Sequence, residues 1–190
     1  MNRSAVIFFR TERLTFRRFE WTDHAALSLI CEDARVAKYV GDGRPLTEAA
    51  TRRWIEQSRA NIGRYGYGTG AVADRSDGQL LGWAGIARPE DGPEELIYGL
   101  EFSAWGKGLG TELLVGLLRW AGESLGKEEL RATVYPANKA SVAMLLKQGF
   151  VLADDCYLGD ANSWLYQLDL RTWPGGAKSC ARVPSREENS

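Results

Sequence analysis

The stretch Trp105-Gly106-Lys107-Gly108-Leu109-Gly110-Thr111-Glu112 separates a strand-like run from a helix-like one. Upstream, Leu96-Ile97-Tyr98-Gly99-Leu100-Glu101-Phe102 has the apolar, partly β-branched composition of a buried strand. Downstream, Leu114, Leu117, Leu118 and Ala121 recur at the spacing of an amphipathic helix. A glycine turn between strand and helix lets a ligand approach bare backbone, and the helix N-terminus offers unpaired N–H groups to an anion. The segment from Gly106 through Lys107, Gly108, Leu109 and Gly110 to Thr111 is therefore expected to hold a phosphate or pyrophosphate, with Lys107 as a neutralising cation. It is neither of the common nucleotide loops. The Walker pattern requires a glycine upstream that Lys107 lacks, and the Rossmann spacing fails because Thr111 stands where its third glycine belongs.

Outward from this loop the chain alternates between strand and helix signals. Leu14 to Phe19 reads as a first strand, followed by a short helix capped at Thr22 or Asp23 and carrying Ala26, Leu27 and Ile30. A second helix starts at the N-cap Thr47 and runs through Trp54 and Ile55; Gly63, Gly66, Gly68 and Gly70 are expected to end it. Gly70–Ala73 and Gln79–Ile86 read as two strands joined at Asp77-Gly78. Beyond the loop and its helix come a strand at Leu130–Val134 and a helix from about Asn138 to Lys147 that stops at Gly149. Val151–Tyr157 and Ser163–Leu168 form an expected hairpin. The order predicts one α/β domain over residues 10–170, with residues 171–190 as a flexible tail.

With 190 residues, 44% hydrophobic and 26% charged, the chain suits a single packed domain. A net charge of −1 gives no general attraction to nucleic acid or anionic membranes. Apolar runs such as Ala5-Val6-Ile7-Phe8-Phe9 are far too short to span a bilayer. Cys31, Cys156 and Cys180 are odd in number and lack CxxC spacing, so neither a disulfide framework nor a metal site is expected, and the reducing cytoplasm is the expected compartment.

A second motif follows one strand later. Asn138-Lys139-Ala140-Ser141 opens a helix as N-cap and first turn, and Lys147-Gln148-Gly149-Phe150 closes it. The two motifs, in this order and separation, resemble the GNAT superfamily of acyl-CoA-dependent N-acyltransferases, over roughly residues 10–170. Thr11-Glu12-Arg13-Leu14 and Leu81-Gly82-Trp83-Ala84-Gly85 are similar to the branch that acetylates ribosomal-protein N-termini. The resemblance implies a central mixed and largely antiparallel twisted sheet of about seven strands flanked by about four helices. It implies acetyl-CoA as cosubstrate without a metal, an amine acceptor, and a monomer or homodimer. It also implies that the loop binds the pyrophosphate and that Asn138 and Ser141 face the pantetheine arm. Many members carry a tyrosine four residues before the Gly-Phe pair to protonate the leaving thiolate; that position is Leu145 here, and Ser141 takes the role in the ribosomal-protein-like branch.

Attack of an amine on a thioester needs a route for the amine proton and donors for the oxyanion. A backbone N–H between Leu100 and Phe102 is expected to serve as such a donor, and Glu101 as general base, with Glu95 and Asp155 as the other carboxylates near the reacting strands. His24 is expected to be structural, and Trp54 and Trp120 to be core. Arg64-Tyr65-Gly66-Tyr67-Gly68 is a candidate mobile wall of the acceptor pocket. A peptide α-amine or a small amine is the leading acceptor. An aminated antibiotic or polyamine would require Glu94, Glu95, Asp154 and Asp155 to converge, and a non-catalytic acyl-CoA sensor would keep the loop while losing acid and base.

Overall fold

The computed structural model describes residues 6–88 and 92–175. The chain runs β1 (Ile7–Arg10), β2 (Leu14–Arg17), α1 (His24–Glu32), α2 (Ala34–Ala37), α3 (Glu48–Tyr65), β3 (Thr69–Asp74), β4 (Leu80–Ala87) and β5 (Glu95–Leu100). Then come α4 (Leu109–Arg119), β6 (Glu129–Val134), α5 (Lys139–Lys147), β7 (Val151–Asp154) and β8 (Trp164–Asp169). A π-helical turn over Trp120–Ser124 prolongs α4.

The strands form two antiparallel sheets, one ordered β1-β2-β3-β4-β5 and one ordered β6-β8-β7. The architecture is the α/β one expected, with eight strands and with the sheet divided in two. β5 and β6 lie side by side but share no ladder, so each presents an edge to the other. That division opens the fold where the glycine loop leaves β5.

Burial explains why β3 and β4 read as near-continuous apolar runs rather than as alternating strands. On β3, Ala71 packs with Phe19, Leu27, Ile30, Ile55 and Trp83, while its neighbour Val72 packs with Leu14, Phe16 and the leucines of α4. Helices α1 and α3 thus cover one face of the first sheet and α4 the other, a two-sided burial that removes the polar alternation. On α4, Leu113, Leu114, Leu117 and Leu118 are fully buried, the stripe its periodicity predicts. Trp120 is buried at 5% exposure and belongs to the core as expected, whereas Trp54 is half-buried and packs against the core, edge-on to Trp83 with ring centroids 5.3 Å apart.

The structure departs from the expectations, or adds to them, at four points. Helix α3 passes through Gly63 and ends at Gly66, where φ is +80°. Its buried Ile55, Ser58 and Ile62, with the Ser58 hydroxyl donating to the Thr69 carbonyl, outweigh the roughly 1 kcal/mol cost of a helical glycine. Strand β1 and the one-turn helix α2, too short for a periodic signal, had no expectation. Thirdly, Trp173, expected to begin a frayed tail, is buried with Leu170 in the core that contains α4. The expected strand Val151–Tyr157 ends at Asp154. Of the expected tail, residues 176–190 lie outside the described residues. Among the described residues no helix is long and apolar enough to cross a membrane.

Candidate active site

Gly106 and Gly108 adopt φ of +72° and +78°, left-handed conformations that let the chain double back between β5 and α4. Gly108 is the N-cap of α4, and no side chain caps that helix. Its first-turn amides at Leu109, Gly110 and Thr111 therefore point toward a ligand site with the positive end of the helix dipole behind them. The segment is built as an anion cradle.

The edge of β5 supplies backbone groups beside it. The Glu101 amide donates to the Leu81 carbonyl at 2.7 Å, which sets the phase of the β4–β5 ladder. By the alternation of antiparallel pairing, Gly99 then bonds β4, whereas the backbone groups of Tyr98 and Leu100 face the open edge. The Leu100 carbonyl accepts from the Trp105 indole at 2.8 Å, so the free group of that residue is its N–H. Of the residues from Leu100 to Phe102, Leu100 is thus the one whose amide lies on the open edge of β5. Glu101 has spent its amide on β4, and Phe102 lies past the end of the strand in a 3-10 turn.

Helix α5 delivers the third part across the split. The Asn138 side-chain oxygen accepts from the Ser141 amide at 3.2 Å, the N-cap bond its sequence position predicts. This fixes Ser141 in the first turn, where its Oγ lies 3.2 Å from the Tyr98 hydroxyl on β5. Desolvation between the walls raises the Tyr98 pKa above its ordinary value, outweighing the lowering effect of the Ser141 bond, and keeps the phenol protonated. The pair holds a proton in the cleft.

These parts enclose a cavity of about 440 Å³, in the range of small-molecule sites. Tyr98, Leu100, Gly106, Gly108, Gly110, Thr111, Asn138 and Ser141 line it, with Met144 on α5. Val36, Tyr39 and Val40 form an apolar wall. That wall is tied down at both ends: the Arg35 guanidinium sits 3.8 Å over the Phe102 ring, and the Tyr135 hydroxyl donates to the Gly41 carbonyl at 2.5 Å.

Several expected residues lie elsewhere. Lys107 and Leu109 line a separate polar groove of about 720 Å³ on the other side of the loop, which shares only Ala104 with the cavity lining. Glu101 also faces that groove, where Ser103 donates to its carboxylate. As a residue that bonds β4, it is directed away from Ser141, and the structure does not bring it to the proposed reaction centre. Phe102 is exposed and packs on Trp105 and Arg35. Glu95 lines another pocket beside Trp54, and Asp155 is exposed beyond the end of β7.

The Arg64–Gly68 stretch is not a wall of this cavity. Tyr67 donates to Glu94 at 2.7 Å, Lys127 bonds both, and Arg88 stacks over Tyr65 and Tyr67, an ion-paired cluster at the far end of β5. Neither Glu94 nor Asp154 lines the cavity, so the acidic convergence does not occur there. His24 is structural, its Nε2 3.0 Å from the Glu48 carbonyl, and Leu145 is fully buried in the core. Among the described residues no group of three or more His, Cys, Asp or Glu is placed to hold a metal ion.

Tyr98 was missed from sequence, although it left a signal. It shares a strand face with Leu96 and Leu100, and a tyrosine tip on an apolar face needs a polar partner.

An edge-exposed strand, an uncapped glycine-led helix and a hydroxyl pair thus surround one cavity, an arrangement suited to a phosphate-bearing acyl carrier. The model of the acetyltransferase (GNAT) domain matches residues 13–151, and the chain belongs to this family of acyltransferases, which use acetyl-CoA as cosubstrate. It is 28% identical over 143 residues, 74% of this chain and 80% of the other, to the uncharacterized N-acetyltransferase p20 of Bacillus licheniformis. The crystal structure of an acetyltransferase from Agrobacterium tumefaciens is 27% identical, with a TM-score of 0.73 over 88% of this chain and 96% of that one. RimL, a ribosomal L7/L12 alpha-N-protein acetyltransferase solved with coenzyme A, shares the fold at 16% identity, with a TM-score of 0.70 over 86% of this chain and 97% of that one.

Proposed function

We propose that the cavity binds acetyl-CoA and transfers its acetyl group to a single, weakly basic amine, best matched by the α-amine of a peptide. The observation that carries the choice of acceptor is the lining: among the described residues around the cavity none is charged. A polyamine or aminated antibiotic would bring several ammonium groups into a site without a counter-charge. A peptide α-amine brings one, with an ordinary pKa of roughly 8 against about 10.4 for a lysine side chain. At pH 7 about a tenth of it is already neutral. Such an acceptor needs no carboxylate base.

In this reading the pyrophosphate lies against the amides from Gly106 to Thr111, and Asn138 contacts the pantetheine arm. The amine nitrogen forms a bond to the thioester carbonyl carbon while the Leu100 N–H donates to its oxygen. The C–S bond then breaks, the Ser141 hydroxyl gives a proton to the departing sulfur, and Tyr98 replaces that proton. The nitrogen loses its extra proton to water, and water returns a proton to Tyr98, so the hydroxyl pair ends the cycle neutral. The hydroxyl pair supports catalysis over a purely cofactor-sensing role, since a sensor has no use for a proton held beside the sulfur.

The test is thiol release from acetyl-CoA with a peptide, a lysine analogue and spermidine, from about pH 6 to about pH 9. For the peptide, kcat/KM rises with pH until the α-amine is neutral and then levels. Glu101→Gln is expected to give a parallel profile within about twofold of the parent. Spermidine as the best acceptor, or a pH dependence abolished by Glu101→Gln, would overturn the reading.

A further inference from the structure

The β1–β2 turn touches the loop from the side opposite the cavity. The Glu112 carboxylate, in the first turn of α4, accepts from the Thr11 hydroxyl, from the Arg13 amide at 2.8 Å and from the Arg13 Nε at 2.7 Å. A second nitrogen of the same guanidinium lies 2.7 Å from the same Glu112 oxygen, Oε2, so two guanidinium nitrogens converge on it while Oε1 takes the Thr11 hydroxyl and the Arg13 amide. The remaining nitrogen donates at 2.9 Å to the carbonyl of Lys107, the residue between the two left-handed glycines. Arg13 itself is anchored, because its carbonyl accepts the Arg75 amide at 2.8 Å and the Arg75 side chain bonds the Thr11 carbonyl at 2.8 Å.

This arrangement resolves a conflict in α4. A carboxylate in the first helical turn is favoured by the dipole, but it competes with any other anion for the same helix end. A guanidinium fork that takes up the carboxylate leaves the end of the helix to a ligand. Its third nitrogen holds the Lys107 carbonyl on the groove side of the loop, where that acceptor does not face the anion. Arg13 is half exposed while Glu112 is mostly buried, so the guanidinium neutralises a carboxylate that would otherwise stand unpaired beside the loop.

We propose that Arg13 is a positioning residue for pyrophosphate binding, acting through Glu112 and the Lys107 carbonyl without touching the cofactor. The inference rests on the reading of the loop as the pyrophosphate site.

The test compares acetyl-CoA with S-acetylpantetheine, which carries the same thioester and arm without the pyrophosphate. Arg13→Ala should raise the KM for acetyl-CoA roughly tenfold with kcat within about twofold, and leave kcat/KM for S-acetylpantetheine within about twofold. Adding Glu112→Gln to Arg13→Ala should recover most of the lost affinity, because it removes the unneutralised carboxylate. Arg13→Lys, which keeps the charge but loses the fork, should fall between parent and alanine variant, and stands in should Arg13→Ala fail to fold. Equal losses with both donors, or no loss with either, would overturn the proposal. Calorimetric titration of coenzyme A and pantetheine reads the same difference without an acceptor. A parent that binds coenzyme A yet acetylates no peptide would count against the proposed acceptor and not against the clamp.

Discussion

A serine hydroxyl is a poor acid by itself, and what distinguishes Ser141 is its neighbour. The Tyr98 hydroxyl is held 3.2 Å away, with burial keeping it protonated. If Ser141 acts in the transition state as proposed, Ser141→Ala is expected to lower kcat by about tenfold to a hundredfold with little change in acetyl-CoA affinity. Tyr98→Phe should give a smaller loss of the same kind, and the double variant should be no worse than Ser141→Ala, as for two members of one relay. Steady-state kinetics on the three variants decides this; additive losses would separate Tyr98 from the relay. Ser141 was legible in the sequence because its position is local, three residues after an N-cap. Glu101 misled because proximity along a strand does not fix direction. Its amide belongs to the β4 ladder, and its side chain follows to the outer groove.

The loop and the two helices that flank the cavity were readable for a related reason. Positive-φ glycines, an N-cap and an apolar stripe are each written within about a dozen residues. Where the outcome depended on distant partners, reading failed. Helix α3 runs through Gly63 because its buried face has the first sheet to pack on, and Tyr67 is fixed by Lys127, which is sixty residues away in the chain. The loop itself makes a sharp prediction. Gly108→Val forces a β-branched residue into φ near +78°, at a cost of roughly 1–3 kcal/mol that falls on the anion cradle. Acetyl-CoA affinity should drop by severalfold or more while the circular dichroism of the fold is retained. A folded variant with parental affinity, measured by calorimetry, would remove the pyrophosphate from this loop.

At the scale of the molecule, one structural decision creates the site. The sheet is divided between β5 and β6, and the division is possible because one core, under α4, takes side chains from both halves and joins them without a ladder. The open edge of β5 then faces α5, and α2 closes the cavity with Val36 beside the Tyr39 and Val40 that follow it. The sequence signals predicted strands and helices in nearly the right order but carried no sign of the missing ladder, since an unpaired edge has the composition of a paired one. Nor did they show that the cavity would lack charge, a property set by which side of each element faces inward. The central claim, that this uncharged cavity acetylates a weakly basic α-amine, is tested most directly on one peptide carrying both a free N-terminus and an internal lysine. After incubation with acetyl-CoA at about pH 7, where the α-amine is several hundredfold richer in its neutral form, fragmentation mass spectrometry locates the acetyl group. Acetylation at the N-terminal nitrogen is the predicted result, and acetylation chiefly at the lysine would contradict it.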